Sequence, residues 1–418
     1  MSRIAAQRAL EALRNGVPND DAVHALGCMQ PTVLDRFRNR LDRLSEGNST
    51  SATPAVPGML IAGDFGTGKS HTLSCLEHEA LSRNFVVSRL VISKETPLHD
   101  PAKVYLAAVR EARLPNGRGS LLHELSAGID YRSTAALPFF HWATMEQPHA
   151  MVAASVHLDE RSNDAELKGQ IVNWWSGDKL GVSQIRTGMR GIGLNDKTIK
   201  QVKVSDLTPI RFEFAARLAR ARGYSGWVLL LDEVELVARF SLLQRAKAYA
   251  ELGRWMDVVP GQNIPGITAV AAITDDFGTA ILGQKNDRQV APERLQQKAD
   301  AVSTLQAHMA KLGIKAIEKE FLRLQPPCDD TLRVSHDRLR QLYERAYGFP
   351  PAQEFASLPS GPMQPMRSHV RRWITNWDLR RLYGNVPDEL IEEQALQQSY
   401  SEDPESMLEV DERAESDA

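Results

Sequence analysis

The chain has 418 residues, of which 42% are hydrophobic and 25% are charged, and its formal net charge is −3. These values are typical of a soluble globular protein of two or three domains, and the charge gives no global attraction to nucleic acid. No run of 18 apolar residues is present, so the sequence predicts no membrane span. The opening residues lack the apolar stretch of a signal peptide, and the three distant cysteines indicate neither a disulfide framework nor a zinc site. We therefore expect a cytoplasmic protein.

Apolar residues at helical spacing predict three helices before residue 47. Asp20 or Asp21 is expected to cap the second helix, Gly27 to end it, and Pro31 to open the third. Glu46 to Pro57 is rich in Ser, Thr, Asn and Gly, and it is predicted to be a linker.

A glycine-rich segment after this linker matches the pattern G-x-x-x-x-G-K-[ST] of a phosphate-binding loop. Met59 to Ala62 predicts a buried strand before the loop, and apolar residues from Thr72 to Leu81 predict a helix after it. Glycines allow the backbone N–H groups to turn toward phosphate oxygens, and the helix N-terminus adds partial positive charge. Lys69 would contact the β- and γ-phosphates of ATP and act in catalysis, and the Ser70 hydroxyl would ligate Mg²⁺. The predicted nucleotide-binding residues are Gly63, Asp64, Phe65, Gly66, Thr67, Gly68, Lys69, Ser70 and His71.

Two acidic residues follow a second apolar run. Trp227 to Leu231 predicts a buried strand, and Asp232 and Glu233 come directly after it. The carboxyl end of such a strand is where ligands sit in open α/β sheets. Asp232 would hold the Mg²⁺ shell, and Glu233 would orient or deprotonate the attacking water.

A third apolar strand, Gly266 to Ile273, also ends in polar residues. Such a strand can lie between the two nucleotide strands, and Thr274 or Asp275 would then sense the γ-phosphate. Simple capping of the following loop is the alternative interpretation. We take Thr274 as a catalytic candidate.

The remaining core elements are predicted less sharply. Phe85 to Ile92 predicts a strand, Ala102 to Arg113 a helix, and Phe321 to Leu324 a last strand. Residues 115–205 predict a mostly helical insertion. Trp174 and Trp175 are expected in the core, and a surface that binds a partner is the alternative interpretation.

Arginines near the end of the chain are candidates for contact with phosphate. Met366 to Asp378 predicts a helix on which Arg367 and Arg371 share a face, as in a lid that closes over a nucleotide. Arg367 is the preferred catalytic candidate. Together with Arg372, Arg380 and Arg381, these arginines are also a candidate surface for binding the DNA backbone. A solvated surface without a partner is the third interpretation.

Arg288 and Arg294 precede a predicted helix that ends near Leu312. Either arginine is a candidate arginine finger for a neighbouring copy of the chain, which would make the protein a homo-oligomer. An arginine on a helix surface is the alternative.

These elements alternate as strand and helix, so the sequence predicts an α/β fold with a parallel sheet and covering helices. The predicted units are an N-terminal helical segment (1–47), a P-loop core (58–328), a helical lid (329–390) and an acidic, disordered tail (391–418).

Several of these motifs resemble one family. Ala9 to Pro18, with Ala22-Val23 and Leu26-Gly27, is similar to the opening of the ATP-binding proteins of BREX and related methylation-associated phage-defence systems. Gly63 to His71 resembles the family's loop, Gly223 to Glu235 its acidic strand, and Met366 to Val370 its lid.

The resemblance implies an AAA+-like ATPase of bacterial anti-phage defence, related to origin-recognition and helicase-loader ATPases. It also implies partner proteins, including a DNA methyltransferase. We expect ATP and Mg²⁺ as cofactors and DNA as a further candidate partner. A nucleotide-gated scaffold with negligible ATP turnover is the alternative function, because it would share every binding residue.

Overall fold

A six-stranded sheet carries both predicted nucleotide-binding strands in this computed structural model. The structure describes residues 1–16, 19–46, 55–115, 117, 120–147, 149–194, 196–297, 300–351, 365–384, 400 and 403. The predicted linker and the predicted acidic tail lie largely outside these residues. No helix in the described part is long and apolar enough to cross a membrane.

The strands of the sheet are mostly parallel. Their order is β3-β2-β4-β5-β1-β6, and only the β2–β3 pair is antiparallel. The strand predicted to lie between the two nucleotide strands does so, because β5 pairs with β1 on one side and with β4 on the other. The strands are β1 Met59–Ala62, β2 Val86–Val91, β3 Ala112–Arg113, β4 Trp227–Asp232, β5 Ile267–Ile273 and β6 Leu322–Arg323.

The described part of the chain contains sixteen α-helices. Shorter 3₁₀ and π turns, among them Val234–Arg239, join some of them. The helices are α1 Arg3–Asn15, α2 Asp20–Leu26, α3 Pro31–Glu46, α4 Lys69–Ser82, α5 Pro101–Arg110, α6 Leu121–Ser126, α7 Leu137–His141, α8 Ala150–Arg161, α9 Ala165–Ser176, α10 Val182–Gly191, α11 Val204–Ala221, α12 Leu242–Trp255, α13 Asp287–Gln296, α14 Ala301–Lys319, α15 Asp329–Tyr347 and α16 Met366–Tyr383.

The sheet is buried on both faces. In β4, Leu229 and Leu231 pack into one apolar cluster, whereas Val228 and Leu230 pack into the cluster on the other face. This division follows from the alternation of side chains along a strand. It also explains why the predicted strands are continuous apolar runs rather than alternating ones.

The N-terminal helices divide between two cores. Helices α1 and α2 share an apolar cluster with α15 and α16, with Leu10 of α1 and Ile374 of α16 both fully buried in it. Helix α3 instead packs on the sheet, where Phe37 is fully buried beside residues of β1 and β4. The first helices and the predicted lid are therefore neighbours in space.

Three local predictions are wrong. The helix predicted to reach Arg113 ends at Arg110, because the next residues pair with the free edge of β2 and form β3. The N-cap of α2 is Asn19 rather than Asp20 or Asp21, since the Asn19 side chain accepts a hydrogen bond from the N–H of Ala22. The two candidate finger arginines lie within a helix of their own, α13, and the helix that they precede, α14, ends at Lys319 rather than near Leu312.

The tryptophans of the insertion belong to the core. Trp174 and Trp175 are 3% and 2% exposed, respectively. The Trp175 indole N–H donates to the Ser155 hydroxyl at 2.8 Å, and the Trp174 carbonyl accepts from the Arg211 guanidinium at 2.7 Å. The expectation of core tryptophans is confirmed, and a partner surface formed by this pair is excluded.

Candidate functional site

A cavity of about 970 Å³ opens at the carboxyl ends of β1 and β4. Its volume is in the range of small-molecule and cofactor sites. Each of the predicted nucleotide-binding residues from Asp64 to His71 lines it, as do Asp232, Glu233 and Arg367. The structure therefore brings together residues from the loop, from the acidic strand and from α16.

The loop owes its shape to glycine. Gly68 has φ +98° and is the N-cap of α4, so the chain enters the helix through a backbone conformation that L side chains rarely adopt. A Cβ at Gly68 would meet no atom within 4 Å, so the backbone angle rather than crowding requires glycine there. The N-terminus of α4 consequently faces the cavity with its free N–H groups.

Lys69 folds back over the loop. Its Nζ donates to the Gly63 carbonyl oxygen at 2.9 Å and lies 3.7 Å from Oε1 of Glu235. The Lys69 side chain is only 8% exposed. A buried ammonium next to several backbone N–H groups is suited to hold phosphate oxygens.

Asp232 is the last residue of β4, and its carboxylate has a cationic partner. Its Oδ2 accepts from Nη2 of Arg89 at 3.0 Å, and its Oδ1 accepts from the N–H of Glu233 at 3.1 Å. Arg89 projects from β2 and also donates to the hydroxyl of Ser74 at 2.6 Å and to the carbonyl of Ser70 at 3.2 Å. The arginine thus ties the acidic strand to the helix that follows the glycine loop.

Glu233 occupies a strained position at the cavity wall. Its φ of +58° is uncommon for a residue with a side chain, and such strain is often found at functional sites. The residue is half-buried and lines the cavity. Its carboxylate is therefore available to a molecule in the cavity, whereas Asp232 is held by Arg89.

Thr274 follows β5 and is 5% exposed. Its hydroxyl lies 3.3 Å from the hydroxyl of Tyr400, which also donates to Asp276 at 3.3 Å. Asp275, the other sensor candidate, lies 3.3 Å from Arg323, and burial raises the pKa of its carboxyl. Both residues are near the ends of β1 and β4, but the residues that line the described cavity do not include them.

Two arginines of α16 bind the carboxyl end of α1. Nη2 of Arg367 donates to the carbonyl of Asn15 at 2.9 Å, and Nε of Arg371 donates to the carbonyl of Arg14 at 2.9 Å. The last carbonyls of a helix carry partial negative charge, which favours such contacts. Gly16 permits this approach, because a Cβ there would lie 2.1 Å from Nε of Arg367. Arg367 is at the cavity wall, with its positive charge directed to α1.

His71 connects the loop helix to the N-terminal helices. Its Nε2 lies 2.9 Å from the Gly27 carbonyl oxygen, an acceptor, so Nε2 carries the proton and donates. Burial lowers the pKa of His71, which keeps the ring neutral. Its side chain therefore holds the cavity wall together in addition to lining it.

The oxygen-rich side chains fit a hard cation. The Asp232 carboxylate and the Ser70 hydroxyl are oxygen ligands of the kind that Mg²⁺ prefers. Among the described residues, no group of three or more His, Cys, Asp or Glu side chains could hold a metal ion. Besides Asp232 and Ser70, Mg²⁺ would therefore need further ligands from phosphate and water, as is usual at nucleotide sites.

Sequence reasoning missed three features of the site and its surroundings. Arg89 is the one charged residue of an otherwise apolar and small-residue strand, a signal that could have marked it. Glu235 follows the acidic pair at the end of β4 by two residues, and the sequence carries no signal that separates its role from theirs. No local pattern predicts the cavity's apolar wall, because it combines residues of α1, α2, the α2–α3 connection, the Gln325–Cys328 segment and α16. The wall includes Leu13, Leu26, Met29, Pro326, Met366 and Val370.

Fold and site together define a mixed α/β protein with a cofactor-sized cavity at the carboxyl edge of a mostly parallel sheet. A family model described as BREX system ATP-binding protein BrxC/D matches residues 1–121 and 140–352. The chain therefore belongs to this family, which implies ATP binding and a role in the BREX defence system. Comparison with curated proteins and with solved structures found no match.

Proposed function

We propose that this protein is a Mg²⁺-dependent ATPase of the AAA+ P-loop type. One observation carries the proposal: the glycine loop and the acidic end of β4 bound the same cavity, although about 160 residues separate them in sequence. The position of β5 between β1 and β4 supports the assignment, because all three strands are parallel and the loop and the acidic residues therefore lie at the same edge of the sheet.

The side chains have distinct roles in this proposal. Lys69 and the N–H groups of the loop bind the β- and γ-phosphates, and the apolar wall packs against the base. Glu233 orients and deprotonates the attacking water. Ser70 and Asp232 hold the metal shell, and bound Mg²⁺ would neutralise charge that develops on the phosphates. Thr274 and Arg367 act as γ-phosphate sensors once the lid moves.

Two contacts have to change before Asp232 and Arg367 can take these roles. Arg89 must release Asp232, and Arg367 must exchange the Asn15 carbonyl for a phosphate oxygen. Both exchanges replace one charge-assisted hydrogen bond by another, so neither requires a buried charge to lose every partner. Binding of ATP would in this way move α16 relative to the core and alter contacts with DNA or partner proteins.

The organisation proposed for the chain follows the same scheme. Residues 1–47 form the N-terminal helical segment, 58–328 the ATPase core with its insertion at about 115–205, and 329–390 the lid. We further propose that a DNA methyltransferase and other defence proteins are partners, that DNA is a possible partner, and that the active form is a homo-oligomer. An AAA+ oligomer would place an arginine of one copy near the γ-phosphate of the next.

Hydrolysis by the purified protein tests the proposal. Wild-type protein is expected to release phosphate from ATP in magnesium buffer, and Glu233→Gln to bind ATP but release phosphate at least about 100-fold more slowly. Lys69→Ala is expected to lose ATP binding. Equal phosphate release by wild type and Glu233→Gln would refute the assigned chemistry.

A nucleotide-gated scaffold is the second candidate, and the Arg89–Asp232 ion pair favours it. If Arg89 keeps Asp232 when nucleotide is bound, the metal shell lacks its protein carboxylate and turnover is negligible. Such a protein binds ATP, changes its mass in solution on binding, and releases no phosphate with or without DNA. Phosphate release measured in the presence of DNA separates the two candidates.

A further inference from the structure

Glu235 is a buried carboxylate beneath the proposed phosphate site. It lies in the turn that follows β4 and is 1% exposed. Both of its carboxylate oxygens are buried and lack a hydrogen-bond partner. Burying an ionised carboxylate without hydrogen bonds is costly, so the position of Glu235 needs an explanation.

The charge that compensates Glu235 belongs to Lys69. Its Nζ, at 3.7 Å, is the one cation within ion-pair distance of this carboxylate among the described residues. The other charged or titratable groups around Glu235 are Asp232 and Glu233 at the end of β4 and the hydroxyl of Tyr400. Burial raises the pKa of Glu235 to about 7, with Lys69 acting in the opposite direction.

Nucleotide binding would remove this compensation. The phosphates attract Lys69 and at the same time bring negative charge toward the buried carboxylate. An ionised Glu235 would then be left beside like charges in a site with little water, which strongly favours its neutral form. No other described side chain is placed to supply a hydrogen bond to it.

We infer that Glu235 positions Lys69 before nucleotide binds, and that it takes up a proton from water when the phosphates engage the lysine. The inference rests on the proposed nucleotide site and makes Glu235 a positioning residue rather than a catalytic one. Its consequence is that nucleotide affinity depends on pH in a range where the phosphates themselves no longer titrate.

Calorimetric titration with Mg-ADP at pH 8, in buffers with different protonation enthalpies, measures the proton directly. ADP avoids turnover during the titration. Because the pKa of Glu235 is about 7, about nine-tenths of it is ionised at pH 8, and we expect uptake of about 0.9 proton per ADP bound. Above pH 7 the affinity of the wild type should fall by up to tenfold per pH unit.

Two variants provide the comparison. Glu235→Gln should bind ADP with no proton uptake and with a flat pH dependence. Glu111→Gln is the matched control, since it removes another carboxylate that lines the cavity and should leave the proton count unchanged. Proton uptake that persists in Glu235→Gln would overturn the inference, as would uptake that is lost in Glu111→Gln.

The wild type alone keeps the inference testable if Glu235→Gln does not fold. Its proton uptake should then rise from near zero at pH 6 to near one at pH 9, with a midpoint near pH 7. ADP binding without any proton uptake would overturn the inference and leave the nucleotide site intact. Absence of ADP binding to the wild type would instead refute the proposed function, so the two failures are distinguishable.

Discussion

Replacing Arg89 by methionine tests how the acidic end of β4 is stabilised. The substitution removes the guanidinium that lies 3.0 Å from Asp232, while methionine fills a similar volume. The Asp232 side chain is 4% exposed, so it would be left with a hydrogen bond from a backbone N–H and no cation. The loss of one partner from a fully buried ion pair costs about 3–5 kcal/mol.

The expected loss is smaller here because water partly screens the pair. The Arg89 side chain is 26% exposed, and we expect the free energy of unfolding to fall by about 2–3 kcal/mol without nucleotide. Urea denaturation measures this difference. With saturating Mg-ADP the deficit should shrink below about 1 kcal/mol, because the metal shell then offers Asp232 a new partner.

Arg110→Met is the matched control for this experiment. The Arg110 side chain is 76% exposed and pairs with its neighbour Glu111, so its replacement should change the free energy of unfolding by less than about 0.5 kcal/mol. A deficit in Arg89→Met that persists undiminished when Mg-ADP is bound would refute the reasoning. It would mean that Arg89 remains the partner of Asp232 in the nucleotide complex.

Three further substitutions have defined outcomes. Asp287→Asn breaks a fully buried pair in which Arg245 donates at 2.7 and 2.9 Å, and urea denaturation should show a loss of about 3–5 kcal/mol; a loss below 1 kcal/mol contradicts this. Arg371→Ala removes the bond to the Arg14 carbonyl and should cost about 1 kcal/mol in the same assay, whereas no change would show that the contact contributes nothing. Burial lowers the pKa of His99 from 6.5 to about 4, so the unfolded chain takes up this proton first and stability falls as the pH drops from 6.5 toward 4. His99→Gln should remove at most about 3 kcal/mol of that decline in urea titrations between pH 4 and 7, and an equally steep decline in the variant argues against this assignment.

Local sequence patterns were sufficient to predict the strands and the turn that carry the glycine loop and the acidic residues. The apolar run from Trp227 to Leu231 predicts a buried strand, and β4 ends at Asp232, the first of the two acidic residues. The turn at Gly68 is likewise local, because the backbone angle there requires glycine whatever surrounds it. The prediction of a mixed α/β fold with a mostly parallel sheet is confirmed for this reason.

Local patterns could not predict the contacts between residues that are far apart in the sequence. Arg89 and Asp232 are 143 positions apart, and they meet only because β2 pairs with β4 in a register that places Arg89 beside Leu230. Residues of α1 and α16 also meet in one core, although Asn15 and Arg367 are 352 positions apart. Neither the spacing nor the composition of these segments predicts which other segment each of them contacts.

The sequence by itself thus determined the chemistry that the cavity offers: a lysine and serine after a glycine loop, and two carboxylates after a strand. The tertiary structure alone decided how those groups are held, with Lys69 over Glu235, Asp232 against Arg89, and Arg367 on the end of α1. The physical reason is that residue type and backbone conformation depend on short-range sterics and burial. The partner of a buried charge depends instead on the packing of elements far apart in the chain.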